Sequence, residues 1–204
     1  MSDIEREELR EELETIKGAM GLQERYGSEL RLWLVYAVLV GLASLGSQAV
    51  VTLELPPWGH WLSWGVFIGA GVLYQNVALG DDYGGGDSET RPGLGLQYGA
   101  VLAYALVVLA VVAPLLSGVE GALASSIVFA VAVGAVGTAY LLAGNALKAY
   151  RIRRRDRLAF YAGGAWMLAL AVLLPRVPFL QRWGYAVFGL AFAVHAVGSY
   201  LTLR

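Results

Sequence analysis

The chain of 204 residues has no cysteine, so neither a disulfide nor a thiolate-bound metal takes part in its fold. Histidine is almost as scarce, at two residues, His60 and His195. Bis-histidine haem ligation needs both rings at one depth, yet helix rise puts His195 roughly 18 Å below the outer end of its own helix. No cofactor and no metal are therefore expected. Charge is also thin, at 15% of residues, and it gathers in three places: the segment up to Arg31, the Asp81–Arg91 stretch and the Lys148–Arg157 stretch. Between them lie six long runs without Asp, Glu, Lys or Arg. Proton pumps, voltage sensors and many ion-coupled transporters keep ionisable groups at mid-membrane because the work is done on those charges, so machines of that kind are disfavoured. With a net charge of −1 and no basic face on a soluble element, no nucleic-acid partner is expected either.

What is present is apolar: 57% of the residues are hydrophobic, arranged in runs about as long as the roughly 20 residues a helix needs to cross a bilayer. The expected fold is all-α, a polytopic membrane protein with six transmembrane helices in three hairpins. The spans read as about 32–53, 58–79, 96–116, 122–147, 158–174 and 183–203. Pro56-Pro57 and Pro175 to Pro178 make tight turns, and Trp58, Trp61 and Trp64 form an interfacial belt at the start of the second span. Placing the N-terminus inside puts thirteen Lys and Arg on the cytoplasmic side and only Arg176 and Arg182 outside, a strong positive-inside bias. Both termini are thus expected in the cytoplasm. Arginine outnumbers lysine thirteen to two, the pattern of a GC-rich prokaryote, whose cell membrane is the expected location.

The domain organisation follows from the charge. Residues 1–27 read as a cytoplasmic amphipathic helix and a glycine-containing hinge, and residues 28–204 as the six-helix domain. Leu9, Leu13, Ile16 and Met20 fall on one helical stripe. Residues 4–20 are accordingly expected to serve a homo-oligomer or a protein partner, or to lie along the membrane surface. The opening residues lack the basic and apolar regions of a cleavable signal, so insertion is expected to depend on the spans. The glycine-rich acidic stretch Gly80–Gly93 reads as an exposed loop.

Each hairpin opens with aromatics and closes with glycine and tyrosine near the inner face, as in Gly71 to Tyr74, Gly137 to Tyr140 and Gly198 to Tyr200, the pattern a threefold repeat would leave. Ser126, Ala130, Gly134 and Thr138 form a ridge of small side chains that lets another helix approach closely.

The polar residues within or beside the spans define the candidate site. Tyr74, Gln75, Asn76, Tyr140, Asn145, His195 and Tyr200 are expected around a neutral polar pocket. Arg151, Arg153, Arg154 and Arg155 are the expected contacts for an anionic head group, which makes membrane lipids partners. Ser125 and Ser126 with His195 resemble the serine–histidine dyad of the rhomboid proteases, which also use six spans. That family's glycine two positions before its serine is Leu123 here, the one after it is Ser126, and no oxyanion donors are legible. No enzyme activity is expected. Two functions suit the residues: a transport or channel-like protein with a neutral polar pocket, or a non-catalytic membrane anchor, sensory or assembly partner acting through the N-terminal helix and the basic loop. The first expects a cavity and the second a filled bundle.

Overall fold

A computed structural model describes residues 30–79, 94–148 and 154–203. The expected amphipathic helix, the Gly80–Gly93 loop, Arg151 and Arg153 lie outside the described residues. Those described form an all-helical bundle: α1 (Leu30–Thr52), α2 (Trp58–Leu79), α3 (Leu94–Val112) running into a 3₁₀ turn (Ala113–Leu116), α4 (Gly121–Ala146), α5 (Arg154–Leu173) and α6 (Pro178–Leu203). No strand occurs among them. Five of these helices are long and apolar enough to cross a membrane. The sixth helix, α2, is 22 residues long and carries no Asp, Glu, Lys or Arg. The bundle exposes many large apolar side chains, among them Trp61, Leu96, Tyr104 and Leu115, each more than two-thirds exposed. An apolar surface of that extent has no place in water and is what hydrocarbon covers, so the fold is compatible with a multi-pass membrane protein.

Local chemistry sets the helix ends. At the end of α1 the Leu55 N–H reaches back to the Val50 carbonyl at 2.9 Å across Glu54, whose φ is +52°. This is a Schellman closure with glutamate where glycine is usual. A non-glycine residue in that left-handed region costs about 1 kcal/mol, so Glu54→Gly should raise the thermal midpoint in detergent by a few degrees. An unchanged or lower midpoint would show that Glu54 has another task. Pro178 opens α6 at its first position, where a missing N–H is no loss and φ is already set. Both α5 and α6 begin several residues before the uncharged runs that marked their spans, because backbone hydrogen bonding continues past the point where side chains turn polar.

The packing order is not the chain order. α1 packs most extensively on α6, α4 on α5, and α2 on α1, whereas α3 touches chiefly α4. The consecutive helices α5 and α6 meet only sparingly. The three hairpins are therefore not equivalent, as a threefold repeat would require: α1, α4, α5 and α6 share one core, and α2 and α3 flank it. That core joins Ala37 and Val40 of α1, Phe129 and Val133 of α4, Met167 and Leu170 of α5 with Leu174 just beyond it, and Tyr185, Phe188, Phe192 and Ala196 of α6.

Glycine decides where helices cross closely. A methyl group on Gly164 would stand 2.7 Å from the Gly137 carbonyl, and one on Gly137 would stand 3.1 Å from the Gly164 carbonyl. Here α4 and α5 meet backbone to backbone. The crossing uses Gly137 and Gly144, which are buried; of the expected ridge, Thr138 lines a groove beside α3, and a methyl on Gly134 would stand 3.7 Å from the Ala171 side chain of α5. Ala130 and Ser126 do turn inward.

Candidate functional site

Two polar levels interrupt the apolar interior. One begins on α1, where Ser44, Ser47 and Gln48 sit three and four residues apart on one face and are almost fully buried. The Gln48 amide nitrogen donates to the Arg182 carbonyl at 2.8 Å, and its oxygen accepts from the Ala186 N–H at 3.1 Å. Arg182 and Ala186 are the partners of one ordinary i to i+4 helix bond, so the side chain of α1 sits across the ladder of α6. Ser63 of α2 ties the other side of α1 by donating to the Ala43 carbonyl at 2.9 Å. Across the bundle the Tyr185 ring is stacked between Phe129, with centroids 3.9 Å apart, and His60, at 5.0 Å, while its hydroxyl lies 3.5 Å from the Ser125 hydroxyl.

The second level surrounds His195. Its ring lies against Trp33 of α1 (5.7 Å between centroids), Trp166 of α5 (6.1 Å) and Tyr140 of α4 (6.4 Å), and Phe160 closes the group beside Trp33 and Tyr140. Gly163 makes room for this arrangement, since a methyl there would stand 2.7 Å from both His195 Nε2 and the Tyr140 ring. The His195 Nε2 and Trp166 Nε1 atoms are buried and make no hydrogen bond. The cluster is thus one imidazole in an aromatic setting, with two polar atoms unused by the fold.

Of the residues expected around a pocket, Tyr140 and His195 come together here. Tyr74 is 43% exposed on α2 and Asn145 is exposed in the last turn of α4, so neither faces the centre. Tyr200 is half-buried near the end of α6. Gln75 and Asn76 belong to α2, but their side chains lie outside the described residues. Arg154 and Arg155 are exposed in the first turn of α5. The resemblance to a serine–histidine dyad ends on geometry: Ser126 hydrogen-bonds the Leu123 carbonyl at 2.8 Å and lies fourteen residues from Tyr140 on α4. His195 lies beside Tyr140, so serine and imidazole are about 20 Å apart along the helix axis.

Sequence reasoning passed over Gln48, Ser44 and Ser47. Their signal was present, three polar residues at i, i+3 and i+4 inside an uncharged run, the same kind of signal that marked Asn145. Trp33 and Phe160 were legible only as aromatics that open their hairpins, and Trp166, in the middle of the fifth span, was passed over. Among the described residues no three His, Asp or Glu side chains come together to hold a metal. No protein-family model, curated protein or solved structure matches this chain. The class its fold defines is an all-helical bundle built as multi-pass membrane proteins are.

Proposed function

We propose that the chain is an integral protein of a prokaryotic cell membrane, crossing it six times with both ends in the cytoplasm, and that it works as a non-catalytic anchor or assembly partner. The observation that carries this reading is the filled centre. Met167 and Leu174 have no exposed surface, Val133 has 2%, and Phe129, Phe188 and Phe192 close around them. A conduit needs polar groups around an opening, whereas Tyr74 and Asn145 face outward. Support for the orientation is the bias of thirteen basic residues against two. The parts free to meet a partner are then residues 4–20 and the basic loop. One observation favours a transport role instead: the unpaired His195 Nε2 and Trp166 Nε1 in the bundle interior.

Vesicles reconstituted with the full chain should pass small neutral and ionic solutes no faster than empty vesicles. Deletion of residues 1–27 should reduce the size of the assembly extracted from the membrane. Solute flux that rises with protein content and falls in His195→Ala would sink the anchor reading and establish transport.

A further inference from the structure

The flank of the bundle carries two features at the same end. Between α3 and α4 runs an open groove of about 570 Å³, lined by Gln97 to Val108 on α3, by Val131 to Leu142 on α4 and by Leu168 of α5. Its α3 wall spans twelve residues, about 17 Å from end to end, which is roughly half the 30 Å hydrocarbon thickness of a bilayer. The groove is mostly apolar, and its volume lies within the roughly 300–1,000 Å³ of small-molecule sites. Six residues past Leu142, about 9 Å further along the helix direction, Lys148 is exposed just after α4. Arg154 and Arg155 are exposed in the first turn of α5, the helix that packs along α4. Arg157 in the same turn keeps a buried Nε without a hydrogen-bond partner. Asp156 is the one acidic residue in that turn, so the local balance is positive.

We propose that this flank binds an anionic glycerophospholipid, with one acyl chain in the α3–α4 groove and the phosphate held by Lys148, Arg154 and Arg155. The groove supplies a leaflet-length apolar bed, and the cations stand where the head group of a lipid lying in it would be. Charge complementarity singles out a lipid phosphate over a neutral head group. The site rests on the membrane reading above but not on which side the basic loop faces.

The full chain is reconstituted in phosphatidylcholine nanodiscs containing a minor fraction of phosphatidylglycerol, extracted, and its retained lipids counted by native mass spectrometry. Phosphatidylglycerol should be retained about tenfold above its mole fraction. Arg154→Gln with Arg155→Gln, two exposed positions, should abolish most of that enrichment. Thr138→Trp, which fills the groove from an exposed position, should lower retention of both lipids and leave the preference of what remains. Glycerol 3-phosphate at millimolar concentration should not displace the lipid. Equal retention of the two lipids, enrichment unchanged in the double variant, retention unchanged in Thr138→Trp, or full displacement by glycerol 3-phosphate would each overturn the site. The membrane reading fails on a different result, a chain that stays soluble and monodisperse without detergent.

Discussion

Leucine in place of Gly164 will force α4 and α5 apart. A methyl alone at that position would meet the Gly137 carbonyl and the Leu141 side chain at 2.7 Å, inside van der Waals contact on both sides. A flexible side chain can swing away, but the Gly137 carbonyl is helix backbone and can give only if α4 as a whole moves. Overpacking a core costs about 1–3 kcal/mol where neighbours can shift, and here one neighbour is backbone, so a loss of about 3 kcal/mol or more is expected. Gly69→Leu is the control. A side chain on Gly69 meets nothing within 4 Å, and leucine forms helix better than glycine, so that variant should match or slightly exceed the parent. Unfolding followed by circular dichroism in detergent separates the two. Equal midpoints would show that the α4–α5 crossing is looser than its geometry.

Gln48 will tolerate loss of its polarity better than gain of a charge. Gln48→Leu removes the amide from the Arg182 carbonyl and the Ala186 N–H, and those two groups are the natural partners of one helix bond that α6 can then close for itself. Replacing a polar link by an apolar side chain of similar size under those conditions is close to neutral, with an expected loss of about 1 kcal/mol. Gln48→Glu presents an ionised carboxylate to the Arg182 carbonyl, acceptor against acceptor, at a site 5% exposed. A buried charge without a partner inside a spanning helix costs about 2–3 kcal/mol or more. The expected order of stability at neutral pH is parent, leucine, glutamate, read by denaturation in mild detergent. A glutamate variant as stable as the leucine one would mean that water reaches this position.

The helices were legible because long uncharged runs ended by charge or proline have few alternatives. Their neighbours were not legible. Chain order suggests three matching hairpins, yet the pairing follows shape: Gly137 against Gly164 selects α5 for α4, and Ser44 lying beside Gly189 selects α6 for α1. The first contact joins consecutive helices across the basic loop, whereas the second joins residues 145 positions apart, and no local pattern reports on that one. Of the expected ridge of small residues, Ser126 and Ala130 turn inward and Gly134 meets Ala171 of α5, but the tightest approach falls at Gly137 and Gly144, which spacing alone does not single out. For the site, His195 and Tyr140 were visible as rare polar groups in apolar surroundings. Trp33 beside them was hidden because aromatics near a membrane surface are the ordinary case. Gln48 was visible in type but not in purpose, since its two partners lie 134 and 138 residues away.

The pairing of α1 with α6 also sets a timetable for synthesis. At roughly 5–20 residues per second, the ribosome needs about 7–28 s after making Gln48 to reach the carbonyl and amide that satisfy it. Through that interval Ser44, Ser47 and Gln48 sit in a hairpin whose principal neighbour has not yet emerged. α1 is thus made long before the helix that fixes its place, and a nascent chain stalled before Arg182 leaves those side chains waiting.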